Sequence, residues 1–243
     1  MPFRDRTHAG EELALRMLEW ADSRSEAGGL VDPVVLALPR GGVPVAAPVA
    51  HALHARLDVL VARKIGVPGR RETAIGALVG EEPPLFDRAA LELLGLSEDR
   101  LGPDVAEARD ELRRREHLYR SDRPAPRVEG RTVVLVDDGL ATGLTATVAL
   151  LSLRRRGPAR LVLAAPVGSP HTVADLRGHA DDVLCLDQPP HFHAVSAGYE
   201  RFPQVSDTEV MDVLNAFHAQ EERHEHHEHR QHHERHEKSG RGH

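Results

Sequence analysis

A doubly wound, mostly parallel α/β sheet is the architecture this sequence predicts, and three features predict it. Runs such as Val34-Val35-Leu36-Ala37-Leu38 and Val133-Val134-Leu135-Val136 are apolar without alternation, as in strands buried on both faces. Segments with helical patterning separate these runs, as βαβ crossovers require. The paired acids Asp137 and Asp138 stand at the carboxyl end of one run, where open α/β sheets bind their ligands. A chain of 243 residues fits one such domain with decorations, and 40% hydrophobic content supports a core. Aromatic residues make up only 3%, so that core is built from Val, Leu and Ala.

The elements follow in order. Leu13, Met17 and Trp20 have the spacing of a short amphipathic helix over about 10–22. Residues 32–38 form the first strand, and 41–54 its following helix. Pro44 is tolerable in a first turn, whereas Pro48 should kink or delay the helix. A second strand covers 57–62. Residues 73–86 are punctuated by glycine and read as a β-hairpin turning near Glu82-Pro83-Pro84. Residues 104–120 read as a charged helix with Val105, Ala108, Leu112 and Tyr119 on one side. Pro124 and Pro126 mark a loop before the strand 133–136, which leads to a helix over about 146–156. Strands over 160–167 and 181–186 complete the set.

The most informative stretch runs from Val133 to Thr145. Gly139 and Gly143 permit backbone angles that let the N–H groups of Ala141, Thr142, Gly143, Leu144 and Thr145 converge on one phosphate. The helix beginning there adds unpaired N–H groups and partial positive charge. Asp137 and Asp138 would be repelled by that phosphate, so they should face something neutral or cationic beside it. Ribose hydroxyls or Mg2+ fit. A phosphate beside a diol describes a ribose 5-phosphate.

Three further regions are candidates. Leu38-Pro39-Arg40-Gly41-Gly42 ends a strand and opens a helix, and Arg40 adds a forked cation. Arg63 and Lys64, read as the end of the next strand, would neutralise a leaving pyrophosphate. Arg70, Arg71 and Glu72 then look like a loop that closes over the site. In Pro189–Tyr199, Phe192 could stack on an acceptor and His193 or His191 hydrogen-bond it. Alternatively, Phe192 and Tyr199 pack this segment onto the N-terminal helix with Trp20.

The motif Val133–Thr145 resembles the 5-phosphoribosyl 1-diphosphate (PRPP) motif of type I phosphoribosyltransferases. Phe3-Arg4-Asp5-Arg6, Leu38–Val43, Ala62–Gly69 and Phe202–Asp207 extend the resemblance over about 3–217, to a bacterial group of this family. It implies the type I phosphoribosyltransferase fold over 1–217, with a small hood (about 1–22 and 187–217) and a hairpin carrying a flexible loop. It implies transfer of the phosphoribosyl group to a nitrogenous acceptor with pyrophosphate release, Mg2+ dependence and a homodimer, while a single Cys with no disulfide framework or CxxC pair fits a reducing cytoplasm. Asp137, Asp138, Arg40 and Lys64 would be catalytic, and the two acids would hold Mg2+, partly through PRPP. Gly41, Gly42, Arg63, Gly139 and residues 141–145 would bind phosphate and pyrophosphate. The resemblance makes 38–42 the pyrophosphate loop, in which such enzymes often have an unusual peptide geometry. Ala141 stands where enzymes of 6-oxopurines carry an Asp, which disfavours hypoxanthine and guanine. The rival reading is a PRPP- or nucleotide-sensing regulator of the same fold with little turnover.

A net charge of −7 gives no overall attraction to nucleic acid, and acids interrupt the Arg109–Arg120 run. The single Cys185 lies in an apolar run and reads as a packing residue. Met1–Thr7 carries charges where a signal peptide would need an apolar stretch, and no apolar run is long enough to span a bilayer. Residues 218–243 form a His/Glu/Arg-rich tail, with eight His in the last twenty residues. It reads as a solvated helix or disordered segment, with His spacings that could bind Ni2+ or Zn2+ if helical.

Overall fold

The computed structural model describes residues 2–24, 29–68, 70–121 and 123–219, with the side chains of all of these except 70–73. The His-rich stretch from 220 onward lies outside them. Five parallel strands form the central sheet in the order β2-β1-β6-β7-β8: β1 Val34–Ala37, β2 Arg56–Val59, β6 Thr132–Val136, β7 Arg160–Val167 and β8 Asp182–Asp187. Every residue of β1 and β6 is buried. Alternate residues feed two separate cores: Val35, Val134 and Val162 point to one face, and Leu36, Leu135 and Leu163 to the other. This period of two across non-alternating strands is what helices on both faces demand.

The helices α1 (Arg6–Asp22), α2 (Gly42–Ala52) and α4 (Gly102–Arg120) cover the first face, and α5 (Leu144–Arg155) and α6 (Pro170–Leu176) the second. A short α3 (Arg88–Leu94) precedes α4, and a last helix, α7, occupies 207–219. The N-terminal helix begins four residues earlier than its apolar spacing suggests, because Asp5 caps it by accepting from His8 N–H. Gly10 lets α1 cross α2 at backbone contact: a Cβ there would lie 2.5 Å from the Val45 carbonyl oxygen. Pro48 sits within α2, which runs on to Ala52 instead of breaking there.

The second strand ends at Val59, so Arg63 and Lys64 are not at its tip. They belong to β3 (Ala62–Val67), which pairs antiparallel with β4 (Arg70–Val79); β5 (Leu85–Phe86) completes a three-stranded sheet. The expected turn around Glu82-Pro83-Pro84 joins β4 to β5, while backbone 70–73, expected in a loop, starts β4. The side chains of Arg70, Arg71 and Glu72 lie outside the described residues. Arg109 donates to the Gly80 and Glu82 carbonyls, and Arg113 makes a two-pronged pair with Glu81, so α4 clamps that turn.

On α4, Arg114 and Arg115 both bond Glu111 and hold its carboxyl down at about 2, against 4.5 for a free glutamate. A depressed carboxylate contributes stability that is complete above the unfolded value and lost as pH falls through the folded one. Glu111→Gln should therefore lower the melting temperature at neutral pH, with the difference closing between about pH 4.5 and pH 2. Thermal melts of both proteins across that window check this.

Candidate active site

The tips of β1 and β6 meet at backbone contact, and glycines make the meeting possible. A Cβ on Gly42 would stand 2.7 Å from the Val136 carbonyl oxygen, and one on Gly41 would stand 1.9 Å from Asp138 Oδ2. The loop carrying them starts with Leu38 N–H donating to Val136 O (2.8 Å), and its Pro39–Arg40 peptide is cis. This loop thus forms a wall directly against the two acids.

Beyond Asp138 the chain bridges to β7 and then opens α5. Leu140 N–H donates to Val167 O, and the Leu140 carbonyl accepts from Ser169 N–H, both at 2.9 Å. Thr172 Oγ1 donates to the Ala141 carbonyl at 2.6 Å. A trans peptide sets C=O and N–H on opposite sides, so the N–H groups of Ala141 and Thr142 are turned away from α6. Gly143, at φ +73°, caps α5 with its back against Thr172, where a Cβ would be 2.6 Å from Cγ2. Thr147 N–H makes the first intrahelical bond, to Gly143 O, which leaves the N–H groups ahead of it for a ligand. Ala141 and Thr142 are exposed, and Gly143, Leu144 and Thr145 are half-buried. The backbone at the start of α5 could therefore cradle an anion beside the paired carboxylates.

Those carboxylates differ. Burial and the neighbouring Asp138 charge push Asp137 well above the usual carboxylate range, offset in part by Lys64. Its Oδ1 also accepts from Asp138 N–H at 2.9 Å. Asp138 Oδ2 accepts from Arg6 Nε at 2.8 Å, and its carbonyl accepts from Tyr199 Oη at 2.6 Å. Two adjacent carboxylates suit a hard cation. No group of three or more His, Cys, Asp or Glu comes together among the described residues, so such an ion would draw further oxygens from a bound ligand.

The cations expected around the site are placed as follows. Arg40 Nη1 lies 3.8 Å from Asp207 Oδ1 at the start of α7, and Asp207 also accepts from the Tyr119 hydroxyl. Lys64 is exposed on β3, its charge felt at Asp137. Arg63 lines a cleft of about 480 Å³ between β3 and α4, together with Lys64, Asp104 and Glu107. Its Nε is buried with no hydrogen-bond partner among the described residues.

Over the acids lies the segment 188–206. Val195 rests on Gly139, where a Cβ would meet Val195 Cγ1 at 2.4 Å. Phe192 is half-buried against Phe3, Ala9, Val167 and Tyr199, while His193 is exposed. Trp20 packs in the other core, so it is not the partner of Phe192 and Tyr199. Cys185 is half-buried and its thiol is raised to about 12 by burial and the Asp187 charge, which fits a packing role. Spacing does not mark Arg6, Asp207 or Tyr199 as site residues, because each reaches the acids or Arg40 from a remote part of the chain. Their sequence signals are weaker: Arg6 and Asp207 fall inside segments carrying the family resemblance, and Tyr199 ends the candidate segment 189–199, where it reads as a packing residue.

The sequence profile described as a phosphoribosyl transferase domain matches residues 5–200. Two Mycobacterium tuberculosis proteins provisionally named phosphoribosyl transferases, from strains CDC 1551 and H37Rv, are 42% identical over 215 residues. That alignment covers 88% of this chain but 46% of those proteins, so the chain spans about half their length. The crystal structure of TT1426 from Thermus thermophilus is 42% identical with a TM-score of 0.72, covering 89% of this chain and 99% of that one. No helix among the described residues is long and apolar enough to cross a membrane. Cradle, paired acids and match agree, and the chain belongs to the phosphoribosyl transferase domain family.

Proposed function

We propose that the protein transfers the 5-phosphoribosyl group of PRPP to a nitrogenous acceptor, a nucleobase or related heterocycle, releasing pyrophosphate. The observation that most supports this reading is the backbone contact between the Leu38–Gly42 loop and the Asp137–Asp138 tip, which brings the Arg40 loop against the two acids.

In this reading the 5-phosphate sits on the N–H groups and hydroxyls of residues 141–145, and the ribose diol donates to Asp137 and Asp138. Arg40, Arg63 and Lys64, with the Gly41 amide, take the charge that builds on the diphosphate as its bond to C1 breaks, whereas the Gly42 N–H is committed to the Leu38 carbonyl at 3.0 Å. Positive charge then spreads over C1 and the ring oxygen, within reach of the two carboxylates. An acceptor nitrogen forms the new bond to C1 from the opposite face and loses its proton to solvent or a nearby base. Asp137 and Asp138 would hold Mg2+, which would supply Lewis-acid stabilisation of the charge developing on the leaving group. Ala141 puts no carboxylate beside the acceptor, so a 6-oxopurine would lack a partner there.

Pyrophosphate release from PRPP and Mg2+ should accelerate with one member of a panel of adenine, hypoxanthine, guanine, uracil, orotate and simple heterocyclic amines. Tight PRPP binding with no release for any acceptor would move the assignment to a sensor of the same fold.

A further inference from the structure

Asp138 is held by groups remote from its own strand. Arg6 Nε donates to Oδ2 at 2.8 Å, Tyr199 Oη donates to the carbonyl, and Gly41 forms the floor under the carboxylate. Arg6 is itself only 8% exposed. Its Nη1 donates to the Pro203 carbonyl at 2.6 Å, and its guanidinium lies 3.6 Å from the Phe202 ring centre. A guanidinium fixed by three partners is pre-organised, so little freedom remains to be lost in the bond to the carboxylate. That bond is charge-assisted and shielded from water, which makes it directional as well as strong. Asp137 is served instead by the exposed Lys64. The two acids thus have separate counter-charges, one buried and rigid, the other on the solvent-facing hairpin. The phosphate cradle depends on neither, since Thr172 and Gly143 shape it.

We propose that Arg6 is a positioning residue for phosphoribosyl transfer, holding Asp138 in the orientation in which its carboxylate accepts from the sugar diol. The inference rests on the transferase reading of the site. It assigns the first turn of α1 and the 199–205 segment a part in sugar recognition.

The test compares ribose 5-phosphate, 2-deoxyribose 5-phosphate and inorganic phosphate as ligands of wild type, Arg6→Gln and Arg6→Lys, by calorimetric titration. Wild type should prefer the ribose over the deoxyribose compound by about tenfold, the worth of a hydrogen bond to a charged group. Arg6→Gln should lose that preference and keep its affinity for inorganic phosphate. Arg6→Lys should recover part of the preference, since it supplies the charge without the fork. Retention of the full preference in Arg6→Gln would overturn the proposal. So would an equal loss for all three ligands, which is what a purely structural role predicts. If Arg6→Gln does not fold, Arg6→Lys and Phe202→Leu decide by the same comparison, because the latter removes only the ring beneath the guanidinium. A wild type that binds ribose 5-phosphate no better than inorganic phosphate would overturn the diol reading of the acids instead.

Discussion

Replacing both acids, Asp137→Asn/Asp138→Asn, should abolish transfer while leaving the protein folded, and Asp137→Asn alone should make the ligand-free protein more heat-stable at neutral pH. The stability half follows from the raised Asp137 carboxyl. Protonated Asp137 favours folding; this contribution is fully present below the ordinary value of 3.8 and is lost as pH rises through the higher folded value. Asparagine is neutral at every pH and can still accept from Asp138 N–H, so it removes the cost of a buried charge without leaving that donor unpaired. The functional half follows from the same charge. A carboxylate kept in a costly place gives back that cost when a diol or cation reaches it. Loss of one such preorganised contact costs about 2.7–4 kcal/mol of barrier, or roughly 10²–10³ in rate. Melting curves from pH 4 to pH 8 and single-turnover rates check the two halves separately. A less stable Asp137→Asn at neutral pH would contradict the burial argument.

Gly41→Ala should be almost as damaging, although it removes no functional group. A methyl at Gly41 would stand 1.9 Å from Asp138 Oδ2 and 2.5 Å from its Cγ, well inside any real contact. Either the carboxylate swings away or the whole Leu38–Gly42 loop lifts from β6, and both separate the acids from the Arg40 loop. Overpacking of this kind costs about 1–3 kcal/mol of stability, which a domain of this size can absorb. PRPP affinity should fall by roughly 10²-fold, on the scale of a lost preorganised contact. Gly102→Ala, where nothing lies within 4 Å of the added methyl, should be silent in both measurements. Normal affinity in Gly41→Ala would show that the loop and the acids need not touch.

The contrast between these residues shows what is legible in the sequence. The cradle can be read because its parts are neighbours in the chain: an apolar strand, two acids and glycines spaced for a helix start. The parallel sheet is legible for a similar reason, since strands buried on both faces lose their alternation. Arg6 cannot be read this way, because it meets Asp138 across 132 positions and an arginine in a first helical turn looks like any surface charge. The hairpin starts earlier than its sequence suggests, because β3 carries charged residues at Arg63 and Lys64 and slips register at Gly66, which blurs its period. Size alone pairs Trp20 with the hood. In the structure α1 turns Trp20 toward the sheet core, while Phe3 and Ala9 meet Tyr199.

Whether residues 137–145 bind PRPP is decided by titrating PRPP with Mg2+ into the full chain. A saturable one-to-one binding heat that vanishes in Asp137→Asn/Asp138→Asn is the predicted result. No binding heat in wild type, with or without Mg2+, would contradict it.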